Sequence, residues 1–247
     1  MKYTLTLLLL TVCSLSFGQV SLKEYCPDDQ SQYRATCASY APTYTAFSIA
    51  YNKQNGYNKA HENFTVFSEG FVASKIKSDK PFTGRIFNKC GKNVIAQDAL
   101  NVLKDHGTVL KKDFREGCAC SKQKKLLASN TKRYKIKDWK EITSSDETTH
   151  IDNITQSLDN GSPVIITILQ EPFFLDNKAR EVTFPQGHEK KEAAANHVIT
   201  IVGYDSAING GSFLVKNNYT TWGDHGYAYV QYKDLLKIIR GSFVILL

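Results

Sequence analysis

The chain changes its hydropathy rhythm partway along, and that change limits the folds open to it. Over roughly the first 160 residues, apolar side chains recur at helical spacing. Ala38, Ala41, Tyr44, Ala46, Phe47, Ile49 and Ala50 crowd one segment densely enough for a helix buried on most sides. Ala96, Leu100 and Leu103 line one face of a helix predicted over 94–106, with Gly107 as its stop. Ile151, Ile154 and Leu158 do the same over 149–159, ahead of Asn160 and Gly161. Beyond them stand PVIITIL, HVITIVGY, SFLVKN and GYAYVQY, each short, β-branched or aromatic, and bounded by Gly, Pro or Asn. These read as strands of an antiparallel sheet. Helices followed by strands predict an α+β fold of two lobes with a cleft between, a helical lobe over about 30–125 and a strand-rich lobe over about 126–247.

The first residues, MKYTLTLLLLTVCSLSFG, combine Lys2, an apolar run and small residues at Ser16 and Gly18. That is the layout of a secretory signal over 1–18, cleaved before Gln19, and predicts an extracellular or periplasmic protein. The run is too short to span a bilayer stably, so no membrane association is expected after cleavage. A lipid anchor on Cys13 is the weaker alternative, because Val12 is bulkier than such a processing site usually carries.

An oxidising compartment makes unpaired thiols unusual. Without Cys13 the cysteines are Cys26, Cys37, Cys90, Cys118 and Cys120, an odd number, so at least one is free or pairs outside the chain. If it is Cys37, the other four can form two disulfides in any of three connectivities. A four-cysteine zinc site is the rival, disfavoured by the tight C-x-C of Cys118 and Cys120. No metal and no cofactor is expected.

The formal charge of +7 comes mostly from the stretch 111–140. A nucleic-acid surface there would interleave stacking aromatics, and only Tyr134 and Trp139 occur. The stretch reads as a solvated, loop-like basic face, with no nucleic-acid partner expected. Asn-x-Ser/Thr triplets begin at Asn63, Asn153, Asn160 and Asn218, and matter only in a eukaryotic secretory pathway.

Three segments carry chemistry in chain order: QSQYRATCASYA around Cys37, AAANHVITIVGYD around His197, and FLVKNNYTTWGDHGYAYV around Asn217. A thiol attacks carbonyl carbon as the thiolate, so it needs a lowered pKa and an adjacent base. A helix N-terminus favours the anion, and Pro42 is tolerable only near a helix start, which places that start close to Cys37. His197 then serves as base and later acid, with an imidazolium paired to the thiolate, and Asn217 orients its ring. The remaining histidines lack such a setting: His225 lies in a turn, and His61, His106, His150 and His188 read as surface or loop positions.

With CGKNVIAQDALNVLKDHGTVLKKDF as a fourth block, the pattern resembles the papain family of cysteine peptidases in its divergent bacterial form. The resemblance spans about 30–230 and implies a papain-like two-lobed fold. The implied activity is peptide-bond hydrolysis through a thioester, on peptide or protein substrates, with a proteinaceous inhibitor as a further partner. It implies an oxyanion donor from a Gln six residues before the Cys, a position held here by Ser31. Gln30 at seven before and Gln32 at five before are the candidates, and Gln30 is preferred because Asp29-Gln30 matches the family's lead-in. Arg34 and Ala35 stand where a Gly is common. Trp222 is expected to shield the His–Asn bond, while Tyr219 occupies a position more often Trp. Gly91 and Ala195 are expected to line the pocket for the second residue on the acyl side of the cut. Only 18 residues separate Gln19 from Cys37 (37 − 19 = 18), too few for a long inhibitory propeptide. The alternatives are amidase- or transglutaminase-type acyl transfer on the same triad, and a papain-fold binding module without catalysis.

Overall fold

The computed structural model describes residues 18–28, 30–80, 90–91, 94–188 and 196–247. The expected signal segment, apart from Gly18, lies outside the described residues, and so does Ala195.

The strand-rich half, joined by one strand from the start of the described residues, forms an eight-stranded sheet. Its strands are β1 (Gln19–Ser21), β2 (Asp138–Glu141), β3 (Val164–Leu169), β4 (Glu181–Val182), β5 (Asn196–Asp205), β6 (Ser212–Lys216), β7 (Tyr227–Gln231) and β8 (Ile239–Leu246). They lie in the order β2-β8-β3-β5-β6-β7-β4, with β1 paired to β5. Every pairing is antiparallel except the short β4–β7 contact. Successive side chains of a strand point to opposite faces, so β3 feeds two cores at once. Val164, Ile166 and Ile168 pack with Ile199, Leu158 and Leu235 on one face, whereas Ile165 packs with Ala41, Phe47, Leu100 and Val198 on the other. Burial on both faces is why this strand reads as an unbroken apolar run. Each such aliphatic side chain contributes about 1.5–3 kcal/mol when fully buried.

Helix α1 occupies residues 37–55 and starts on Cys37, as an α-helical turn (Cys37–Ser39), a π-helical stretch (Tyr40–Phe47) and an α-helical end (Ser48–Asn55). Pro42 falls in the π-helical stretch, not in the first turn. A proline inside an α-helix removes one N–H and presses on the carbonyl four residues back, and a widened turn relieves both demands. The proline thus marks the altered winding of α1. Gly56, at φ +71°, ends the helix in the left-handed conformation. Helices α2 (Glu69–Asp79), α3 (Ala96–Asp105) and α4 (Cys120–Ala128) stand on the same side of the sheet as α1, whereas α5 (Glu147–Asp159), the short α6 (Pro172–Leu175) and α7 (Tyr232–Ile238) contribute to the opposite core. α4 lies within the basic stretch expected to be loop-like, because residues 120–128 form regular helix there.

Of the histidines read as surface or loop positions, His188 lies in a loop with its side chain turned inward, and His150 is buried on a helix. The His188 side chain is largely enclosed beside Phe173 and Phe184. His150 lies on α5, where its apolar neighbours one turn away carry it into the core, and its Nε2 meets Ser242 Oγ at 2.9 Å. Burial pushes the His150 imidazole below its ordinary value. The unfolded chain therefore binds the proton more readily than the fold, so stability is present above an unfolded pKa of about 6.5 and falls as pH drops below it. His150→Gln is expected to flatten the acid side of the melting-temperature profile. A profile as steep as wild type between about pH 6 and 4 would refute the assignment.

Candidate active site

Cys37 is the first residue of α1, and Thr36 precedes it with its carbonyl accepting from the Ser39 and Tyr40 N–H groups, both at 2.9 Å. The thiol is half-buried. Burial pushes it above its ordinary range, against the opposing pull of the backbone N–H groups of Val198, Ala38 and Cys37 itself. The Val198 contact places the sulfur beside the residue that follows His197.

His197 is the second residue of β5, opposite Ile168 of β3, and is 1 % exposed. Its Nε2 lies 2.9 Å from Asn217 Oδ1, the residue just past the end of β6. The same oxygen accepts the Asn218 N–H at 2.7 Å, which fixes it as the carbonyl end of the amide. Nε2 must then carry the hydrogen, leaving Nδ1 unprotonated in the neutral ring. Burial pushes the imidazole down, and the Asn217 bond opposes it more weakly. Both shifts favour thiol and neutral imidazole over the ion pair expected from sequence.

Cys37 and His197 line one cavity of about 770 Å³ with Gln32, Gly91, Asn196 and Tyr219. Val94, Ile95 and Phe243 supply apolar wall, and Arg34, Glu141 and Arg240 supply charge. The two glutamine candidates part company here. Gln30 is exposed and offers its carbonyl to the Tyr40 hydroxyl outside the cavity, whereas Gln32 lines it. Gln32 Nε2 donates to Arg34 O at 2.5 Å. The loop expected to carry a glycine holds Arg34 at φ 51°, the left-handed region that strains any residue with a Cβ.

Tyr219, not Trp222, covers the histidine: its ring stacks on His197 at 5.6 Å and 10°. Trp222 packs against Phe174 at 5.3 Å and donates from Nε1 to the Phe174 carbonyl at 2.5 Å. Gly91 is at φ +86°, and a Cβ there would stand 1.9 Å from Ala35 O, so this turn abuts the backbone leading into Cys37. Sequence reasoning missed Asn218 as a site residue. Its Asn-x-Thr triplet begins on a residue that is 1 % exposed, which leaves a glycan no room.

One disulfide joins Cys90 to Cys118, with Cα atoms 6.4 Å apart. Cys26, Cys37 and Cys120 lie outside it, so the expected second bridge is not formed among the described residues. Cys26 sits in the core and Cys120 Sγ approaches Ser74 O at 3.6 Å, which separates the two. The odd-cysteine argument therefore does not single out Cys37, whereas its position does.

The family described as Peptidase_C39 like family matches residues 88–239, a span holding His197 and Asn217 but not Cys37. No curated protein sequence matches the chain. Among solved structures, the proform of the ragweed pollen cysteine protease Amb a 11 superposes with TM-score 0.66 at 18% identity, over 96% of this chain and 67% of that one. Procathepsin L 3 of Tenebrio molitor larval midgut gives 0.67 at 18% identity, over 93% and 69%. The bromelain protease of Ananas comosus, in complex with the E64 inhibitor, gives 0.67 at 14% identity, over 93% and 98%. At these identities the likeness is one of fold.

Proposed function

The chain belongs to the Peptidase_C39 like family of cysteine-type peptidases and has the papain fold, and from that premise we propose that it hydrolyses peptide bonds with Cys37 as nucleophile, His197 as base and acid, and Asn217 as orienter. One observation carries the reading: a histidine with Nε2 tied to Asn217 shares a cavity with a cysteine at a helix N-terminus. His197 Nδ1 takes the thiol proton as Sγ attacks the scissile carbonyl carbon. The carbonyl oxygen becomes an oxyanion held by the Cys37 N–H and by Gln32 Nε2, in preference to Gln30. The imidazolium gives its proton to the departing amine, leaving a thioester. Water, deprotonated by the same nitrogen, then attacks the thioester, releases the acid and restores the thiol.

Residues 19–247 form the catalytic unit in this reading, a helical lobe over about 30–125 against a strand-rich lobe over about 126–247. Removal of 1–18 by secretion leaves Gln19 at the head of β1, paired with β5. Gly91, which lines the cavity, borders the subsite for the second residue on the acyl side.

The test incubates reduced protein with a peptide library, with glutamine–amine pairs, and with an epoxide of the E-64 type. New peptide termini and an adduct on Cys37 are expected. Amine release without new termini would replace hydrolysis of peptides by acyl transfer. No adduct and no turnover would make the chain a binding module.

A further inference from the structure

The geometry points to Asn218 as a positioning residue that holds the Gln32 side chain as an oxyanion donor and couples it to the His197–Asn217 pair. The inference rests on the reading of Cys37 and Gln32 given above. Asn218 is buried, and its Nδ2 donates to Gln32 Oε1 at 2.9 Å and to Val198 O at 2.8 Å. Its N–H donates to Asn217 Oδ1 at 2.7 Å, and its carbonyl accepts the Gln32 N–H at 2.9 Å. One residue thus reaches the oxyanion loop, the strand that carries the base and the orienter's oxygen.

Gln32 needs such help. Residues 30–33 belong to no helix or strand, and a free Gln side chain there samples many rotamers whose entropy a fixed donor must give up. Asn218 removes that freedom and also decides which end of the amide faces the substrate. Because Nδ2 is a donor, the Gln32 atom opposite it must be the acceptor Oε1, so Nε2 is the donor end. One hydrogen of Nε2 goes to Arg34 O, and the other is left for a substrate oxygen. The cost falls on Asn218 Oδ1, a buried acceptor with no hydrogen-bond partner among the described residues. An amide kept there despite an orphaned acceptor is kept for its two donor hydrogens.

The experiment is a double-mutant cycle on the full chain with Gln32→Ala and Asn218→Ala, and with Asn218→Ser in parallel should the alanine variant fold poorly. Loss of one oxyanion donor lowers kcat by about 10²–10³-fold, so Gln32→Ala is expected in that range. Asn218→Ala is expected to lower kcat about 10–100-fold at nearly constant KM, and to cost less than about threefold once Gln32 is alanine. Alkylation of Cys37 by iodoacetamide builds no oxyanion, and its rate is expected to stay at the wild-type value in Asn218→Ala. Additive losses, or a matching fall in alkylation, would overturn the role while leaving the peptidase reading intact. A wild-type protein that is alkylated at Cys37 yet cleaves no peptide would overturn both.

Discussion

Cys37→Ser is expected to lower peptide hydrolysis by roughly 10⁴-fold or more while leaving the fold intact. The replacement changes one atom in a half-buried side chain, so its effect on stability is expected within about 1 kcal/mol. Its effect on chemistry is large because a serine hydroxyl holds its proton far more tightly than a thiol. Burial raises the Cys37 thiol and lowers the His197 imidazole, which favours a proton transfer that accompanies attack. Such a transfer is within reach of a thiol and a neutral imidazole, and much less so of an alcohol placed for a larger sulfur atom. Cys120→Ser is the control, since Cys120 approaches Ser74 O and not the cavity. It is expected to keep turnover within about twofold, as a substitution away from the site does. Turnover and melting temperature measured on both variants check the pair. A Cys37→Ser variant with wild-type turnover would remove this cysteine from the mechanism.

Gly91→Ala is expected to lower turnover by about 10²-fold, although Gly91 carries no chemistry. A Cβ at this position would lie 1.9 Å from Ala35 O, 2.4 Å from Ala35 C and 3.0 Å from Thr36 N. All three are backbone atoms, so no flexible side chain can swing away. Relief requires moving either the Cys90–Gly91 turn, tethered through Cys90 to Cys118, or the two residues that lead into α1. Moving the latter shifts Cys37, and a displacement of about 1 Å at a reacting atom can cost about 10²-fold. With the added strain of alanine at φ +86°, the loss of stability is expected at about 2–4 kcal/mol. Gly56→Ala separates the two effects. Gly56 has φ +71° with nothing within 4 Å of an added methyl, so only the conformational cost, about 1 kcal/mol, is expected and turnover stays unchanged. Equal effects of the two substitutions on kcat/KM would mean that Gly91 does not support the nucleophile.

The placement of Cys37, His197 and Asn217 was readable because each is embedded in local structure with a strong signature. A helix start, a β-branched strand and a strand end all leave marks in hydropathy and turn residues. Which of the two glutamines enters the cavity was not readable. Gln30 and Gln32 lie in an irregular segment where spacing along the chain says little about position in space, and the deciding contact comes from Asn218, 186 residues away. Helix α2 escaped because its first half is buried on most sides with Gly70, Ala73 and Ser74, which blur the 3.6-residue stripe. α4 escaped for the opposite reason, a polar surface crowded with lysines and only Gln123 buried. Cysteine counting overshot, because pairing depends on distances that the order of residues does not reveal.

His197 and Asn217 stand near the ends of two neighbouring strands, β5 and β6, whose ladder pairs Thr200 with Lys216 and Asp205 with Ser212. Their separation is therefore set by hydrogen-bond register and not by the length of the chain between them. The turn from Ser206 to Gly211 lies at the far end of that ladder from the pair. Lengthening or shortening this turn leaves the His197–Asn217 geometry untouched so long as the register holds. The interval between histidine and asparagine can thus change in length without moving the pair, whereas slipping the ladder by a single residue would turn the asparagine's neighbours to the wrong face and part it from the histidine.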